Sequence, residues 1–348
     1  MSGLLDGYDA VLLDLDGTVV RGRDAVPGAA DVVAALREAD IAVQFITNNA
    51  SRSPDEVAEH LGELGIEADP DDVLTSGQAA VGLLSAELPA GSAVLVVGSA
   101  ALVAAVEEAG LRPVSTATEQ PVAVVQGHSP QTGWALLAEA CIAIRGGARW
   151  IASNVDRTLP TERGLLPGNG AMVAALVAAT DRTPTVAGKP ERPLLDAAVQ
   201  RVGARCPLMV GDRIDTDIAG ARAAGLDSLA VLSGVADPAA LLSAPPAQRP
   251  TFLGADVQVL RGELADARIA ARPGWDAAVS DGTVTLKGTA ALKGTSLKGT
   301  GTPGDPLDAL RTLCAAWWAV GEGPVQLRAA DDDAAKALDA VGLGALLE

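Results

Sequence analysis

Tyr8 to Thr18 reads YDAVLLDLDGT, and the way this stretch folds decides the architecture of the chain. Ala10 to Leu13 is an apolar, β-favouring run that reads as a buried strand, and it stops in two aspartates and a glycine. Asp14 and Asp16 stand two apart, so on an extended backbone both carboxylates point to the same side, at the carboxyl end of the strand. Gly17 then lets the chain turn sharply away. Two like charges held this close repel, and a core strand tolerates them when a cation or a proton lies between them. Alone, the motif is equally a polar strand end with an Asp-Gly turn, so its surroundings must choose.

Downstream, Pro27 and Gly28 open a helix through Ala39, with Val32, Val33 and Leu36 on its apolar side. IAVQFITNN, Ile41 to Asn49, is a second strand with a polar end, and Ser53-Pro54-Asp55-Glu56 starts a helix that runs to Leu64 and stops at Gly65. This β-α-β-α alternation predicts a parallel sheet whose functional residues collect at the carboxyl ends of the strands. It continues with strands at Ala93–Val97, Val122–Gln126 and Arg149–Ser153, and with helices near Ser99–Ala109, Thr132–Ile144 and Gly170–Ala179. Gly188-Lys189-Pro190 precedes another helix, Cys206–Asp212 is a strand ending in an acidic turn, and a helix at Thr216–Ala224 and a strand at Ser228–Leu232 follow.

The pattern changes at SAPPAQRP, Ser243 to Pro250, which reads as a linker. Beyond it, Trp275–Ser280 and Thr283–Lys287 flank Asp281-Gly282, a two-residue hairpin signal that sets Val279 against Val284 and Ala277 against Leu286. The LKGT repeats at Leu286, Leu292 and Leu297 read as a flexible loop, and Pro306–Val320 and Asp332–Leu347 as helices. The first of these helices carries Leu307, Leu310, Leu313, Cys314, Trp317 and Trp318 in one stripe, for packing in a core or in a homodimer.

Composition narrows the partners. The 348 residues are 49% apolar, which excludes disorder for most of the chain, and no apolar stretch approaches the roughly 20 residues of a membrane helix. A net charge of −18 excludes nucleic acid and acidic membrane surfaces as partners. Cys141, Cys206 and Cys314 lie far apart without a C-x-x-C, and Asp6 and Asp9 stand where a secretory signal would be basic, so a cytoplasmic protein with reduced thiols is expected. An anionic substrate would need a locally positive site. His60 and His128 are the only histidines, leaving carboxylates as the main acid-base groups.

DLDGT at 14–18, TNN at 47–49, GKP at 188–190 and GDRIDTD at 211–217 fall in this order at strand or helix ends. Together they resemble the four motifs of the haloacid dehalogenase superfamily of phosphatases. The resemblance implies an α/β fold with a Rossmann-like parallel-sheet core, and a Mg²⁺-dependent hydrolysis through an aspartyl-phosphate. It makes Asp14 the nucleophile, Asp16 the general acid and base, and Lys189 the fixed positive charge. Asp14, the backbone carbonyl of Asp16, and Asp212 would ligate Mg²⁺, with Asp217 behind them. Thr47, Asn48, Asn49 and backbone amides would cradle the phosphoryl group. Asp215 has no role in the family pattern and reads as a solvated acid at a helix start.

Only residues 19–46 separate the first two motifs, whereas residues 50–187 separate the second from the third. This resembles the subfamily with a large α/β cap inserted at the second position. The implied division is a core of 1–76 and 186–242, a cap of 77–185, a linker of 243–254, and a C-terminal α+β region of 255–348. The cap's candidate specificity loop is Ser153–Gly170, where Asn154 and Asp156 match an N-x-D pattern for substrate contacts. Relatives that act on pyridoxal phosphate place a histidine before the loop proline. Here Leu159 precedes Pro160, as in phosphatases of phosphoglycolate and glycerol 3-phosphate.

The substrate expected is therefore a small phosphorylated metabolite, first glycerol 3-phosphate, with nucleotide monophosphates, phosphoglycolate and pyridoxal phosphate as alternatives. Actinobacterial relatives that act on glycerol 3-phosphate carry a degenerate GCN5-type acetyltransferase-like tail, which residues 255–348 match in length and position. The tail lacks a Q-x-x-G-x-G loop. A scaffold or acyl-CoA-binding role for it is the reading from another class.

Overall fold

Ala10–Asp14 forms a strand with all five residues buried. The computed structural model describes Leu5, residues 7–161 and 163–289, Leu292 and residues 304–347. The chain divides into two units, Met1–Val43 with Ala204–Glu348, and Gln44–Gly203.

In the first unit four parallel strands lie in the order Phe252–Gly254, Asp227–Val231, Pro207–Gly211, Ala10–Asp14. Leu13 pairs with Val210, so two strands end side by side, one in Asp14 and the other in Gly211 with Asp212 just beyond. At the amino ends of the same two strands the Arg205 and Cys206 N–H groups donate to the Asp9 carboxylate at 2.8 and 2.9 Å, which holds that carboxyl below its usual range. The strand Ala42–Thr47 begins in this unit, where Ala42 N–H donates to Asp9 O at 3.2 Å, and the division between units falls within it.

The C-terminal residues of this unit share its core. Trp275–Ser280 and Thr283–Gly288 pair antiparallel in the expected register, Val279 with Val284 and Ala277 with Leu286, across Asp281 and Gly282 at φ 51° and 78°. Gln326–Ala329 adds a third strand, parallel to the second. One buried cluster joins Leu286, Leu310, Leu313, Trp317 and Leu338 to Ala230, Leu241, Leu242 and Leu253 of the parallel-sheet region. Ser243–Pro250 buries Ala244 and Pro250 and makes a 3-10 turn at Pro246–Gln248.

Arg249 donates to the carbonyls of Ala244, Trp318 and Gly321, its guanidinium lies 5.4 Å from the Trp318 ring centre, and Trp318 Nε1 donates to Leu242 O at 3.0 Å. Trp317 is buried and donates to Gly323 O. The tryptophan stripe thus packs within the chain. Burial also pushes the Cys314 thiol well above its usual pKa, keeping it protonated and inert.

Two expectations for this region change. The helix from Asp332 ends at Ala340, because Gly342 takes a left-handed φ of 78° and a 3-10 turn at Gly344–Leu346 follows. Of the LKGT repeats, Leu286–Gly288 belongs to the hairpin strand and is no loop, since strand pairing satisfies its backbone; Leu292 is described, and Leu297 lies outside the described residues.

Arg311 holds the tail to the sheet. It is 5% exposed, donates twice to Leu253 O at 2.7 and 3.1 Å, and pairs with Asp308 at 2.7 Å. Arg311→Ala would leave a carbonyl and a carboxylate buried without this partner, and should cost about 3–5 kcal/mol. Urea unfolding of the full chain checks this, and a loss under about 1 kcal/mol would show the contact to be dispensable.

The second unit is a five-stranded parallel sheet in the order Thr185–Val186, Arg149–Ala152, Ala123–Gln126, Ala93–Val97, Arg112–Val114. Its helices Trp134–Arg145 and Asn169–Thr180 pack Ile144, Val173 and Leu176 against Leu95, Val97, Val124 and Trp150. Gln44–Thr47 belongs to this unit too and pairs with Val73–Thr75. The segment Ser153–Gly170, expected as a loop, contains a two-stranded ribbon, Thr158–Thr161 against Gly164–Pro167, closed through Gly164 at φ 105°. Four residues on each side suffice to pair once a glycine supplies that turn.

Candidate active site

The buried strand end delivers the first constellation. Asp14, Asp212 and Asp217 are 8%, 1% and 1% exposed, and each offers a carboxylate oxygen within 4.8 Å of the others. Among the described residues this is the one such group of three. Three carboxylates in so little solvent are a costly arrangement unless a cation shares them. Their hard oxygen donors suit Mg²⁺ or Ca²⁺ rather than a softer metal.

Glycines make the approach feasible. Gly17, at φ 92°, and Gly234 both lie so close to Asp212 that a Cβ on either would overlap its carboxylate. Val235 N–H donates to Asp212 Oδ2 at 2.7 Å, and Ser233 Oγ donates to Gly17 O at 2.7 Å, so the 233–235 turn closes over the end of the motif. Sequence reasoning passed over this turn; its signal is the small-residue run Ser233-Gly234 directly after the apolar strand Asp227–Val231.

Asp217 arrives by a different device. The expected helix Thr216–Ala224 is α-helical only over Ala219–Ala224, because a π-helical turn spans Ile214–Ile218. Its wider turn lets Asp217 Oδ2 accept from Arg213 N–H at 3.0 Å, and a Cβ on Gly211 would overlap the same carboxylate. Asp215 is exposed and paired with Arg213 at 2.9 Å, the solvated acid expected. Asp16 is exposed, one turn beyond the strand, and bridges to Val20.

The second constellation lies in the other unit. Lys189 is 2% exposed, follows Gly188 and forms a cis bond to Pro190. Thr47 is buried, and its Oγ1 accepts from Asn49 N–H at 3.0 Å; the Asn49 side chain accepts from Ser51 N–H and Oγ. Asn48 Nδ2 donates to Asp156 Oδ2 at 3.1 Å and to Lys189 O at 2.9 Å, while its Oδ1 accepts from Lys189 N–H at 2.8 Å. Asn154 Nδ2 donates to Asn48 O at 2.6 Å, its Oδ1 accepts from Asp156 N–H at 3.1 Å, and its own carbonyl accepts from Asn169 Nδ2 at 2.7 Å. Residues from three distant parts of the sequence meet here. Ser76 and Asn169, which complete the frame at Asn48 O and Asn154 O, carried no sequence signal.

The chain is similar to several known proteins. The family model for haloacid dehalogenase-like hydrolases matches residues 11–112, a related hydrolase model matches 186–260, and a model of a GCN5-related N-acetyltransferase-like domain matches 272–343. The chain is 46% identical over 343 residues to D-glycerol 3-phosphate phosphatase of Mycobacterium tuberculosis, covering 97% of this chain and 95% of that one. An acid sugar phosphatase of Staphylococcus aureus is 38% identical over 230 residues, covering 66% of this chain and 88% of its own length. The crystal structure of a glycerol phosphate phosphatase of M. tuberculosis in complex with magnesium superposes with a TM-score of 0.90 at 46% identity and covers 99% of both chains.

Proposed function

The chain belongs to the haloacid dehalogenase-like hydrolases and is a phosphomonoester hydrolase, and on that premise we propose that it converts glycerol 3-phosphate to glycerol and phosphate with Mg²⁺. The buried Asp14, Asp212 and Asp217 carry the metal-dependent part of this reading, since their oxygens are the donor set the ion prefers. The substrate part is supported by a relative matched over 97% of the chain, C-terminal region included, and named for that activity.

Asp14 and Asp212 would hold the ion, with the Asp16 carbonyl, and Asp217 would orient them. Bound there, Mg²⁺ offsets the negative charge of nucleophile and phosphoryl group. Asp14 attacks phosphorus, forming an aspartyl-phosphate as the glycerol oxygen leaves. Asp16, exposed and so able to exchange protons with solvent, gives that oxygen a proton and then takes one from the water that hydrolyses the acyl phosphate. Thr47, Asn49 and backbone amides bind phosphoryl oxygens, and the Lys189 ammonium neutralises them. Leu159 in the ribbon, with Asp156 three residues before it, favours a small polyol over an aromatic ring.

Among the described residues no helix is long and apolar enough to cross a membrane, and this reading places the enzyme in the cytoplasm. A homodimer is also part of it; Trp317 and Trp318, the stripe offered for it, make their hydrogen bonds within the chain.

The experiment is phosphate release with Mg²⁺ from glycerol 3-phosphate, phosphoglycolate, pyridoxal phosphate and uridine monophosphate. The expected result is a kcat/KM for glycerol 3-phosphate at least about tenfold above the others. Preference for pyridoxal phosphate would overturn the reading of Leu159, and preference for the nucleotide would replace the substrate class.

A further inference from the structure

Asn48 stands in the motif expected to cradle phosphate, yet its side chain has no donor to spare. A carboxamide carries two N–H donors and one acceptor oxygen. Both donor directions of Asn48 are used, toward Asp156 Oδ2 and Lys189 O, and its oxygen is taken by Lys189 N–H. Those bonds engage the Lys189 backbone at both its N–H and its carbonyl, in the manner of a strand partner. Gly188 makes this possible: a Cβ there would lie 2.6 Å from Asn48 Oδ1 and 2.5 Å from Ser153 O. The Asn48 carbonyl is itself held by Ser76 Oγ and Asn154 Nδ2, so the residue is fixed at backbone and side chain alike. Asn154 is spent the same way, between Asn48 O and Asp156 N–H.

We propose that Asn48 is a positioning residue that sets the Lys189 ammonium and the Asp156 carboxylate as one unit, and that neither Asn48 nor Asn154 touches substrate through its carboxamide. The proposal rests on the phosphatase reading above. Its consequence is a coupling between two tasks. Lys189 meets the charge of the phosphoryl group, whatever alcohol is attached, while Asp156 lies in the segment that reads the alcohol. Because one carboxamide holds both, loosening it disturbs recognition and charge neutralisation together. A contact made to phosphate alone would do neither.

The test is a double-mutant cycle in the full-length protein with Asn48→Ala, Asp156→Ala and the pair, reading kcat and KM separately with glycerol 3-phosphate. Asn48→Ala is expected to lower kcat/KM about 30-fold, through a lower kcat and a higher KM together, and Asp156→Ala about tenfold. In the Asn48→Ala background, removal of Asp156 should cost less than about threefold more, because the carboxylate is already misplaced. Multiplying effects would overturn the proposal, as would an Asn48→Ala enzyme with unchanged kcat and a weakened inhibition constant for inorganic phosphate, the mark of a direct phosphate ligand. Should the alanine variant not fold, Asn48→Ser serves in its place. It removes the carboxamide without setting a charge against Asp156, and the same non-additivity with Asp156→Ala is expected. If the wild-type protein does not hydrolyse glycerol 3-phosphate, the substrate assignment fails first; the cycle then runs on p-nitrophenyl phosphate, where the kcat coupling decides it alone.

Discussion

Replacing Asp14 by asparagine should abolish turnover, lowering kcat by at least about 10⁴-fold while leaving the fold intact. The side chain keeps its volume and its place at the end of a fully buried strand, so thermal unfolding should change little. What it loses is the nucleophile. An amide oxygen does not displace an alkoxide from phosphorus, and no other described carboxylate in the cluster can take over easily: Asp217 is bonded to Arg213 N–H and Asp212 to Val235 N–H. Removing one repelling charge from three should even raise stability slightly in the metal-free protein. The measurement is burst and steady-state phosphate release beside a melting curve. Activity within tenfold of wild type would rule out attack by Asp14.

Removing the divalent ion should have an effect of similar size by another route. With a chelator in excess, phosphate release is expected to fall to background and to return on adding Mg²⁺. Stability should follow the same titration, because an ion bound by the folded state alone stabilises it by about 2.7 kcal/mol at 100 times its dissociation constant. Asp212→Ala should abolish both responses, since this carboxylate is held on two sides by glycine backbone in a space shaped for it. A protein whose melting temperature ignores Mg²⁺ while its activity requires it would place the ion on the substrate and not in the cluster. Full activity in chelator would remove the metal from the mechanism.

Much of the core was legible because its signals are local. Ala10–Leu13 is apolar without interruption, and the hairpin register follows from strand period and an Asp-Gly turn, so the sequence alone pairs Val279 with Val284. The order of short motifs marked Asp14, Lys189, Asp212 and Asp217 as candidates, and Asp14 and Asp212 also stand out locally because each follows a buried apolar run. What sequence could not provide was the part made by long-range closure. Asn48, Asn154 and Lys189 are far apart in the chain, and whether a carboxamide faces a ligand or a neighbouring peptide depends on which segments fold beside it. The π-helical turn was hidden for a related reason: the pattern of Ile214–Ile218 suits an α-helix as well, and the wider turn is chosen by the Asp217 carboxylate folding back onto Arg213 N–H. The ribbon in Ser153–Gly170 escaped because strands of four residues with a proline in each leave little periodicity to detect.

The core shared between the parallel sheet and the C-terminal region has a consequence for descent. Leu286, Leu310 and Leu338 cover Leu241 and Leu253, and Arg311 completes the edge strand, so the hydrolase depends on the inner face of its appendage. Substitutions that bare that inner face to water would therefore weaken the hydrolase itself, whatever chemistry the C-terminal region has. The region is inherited with the sheet it covers, for the side it hides.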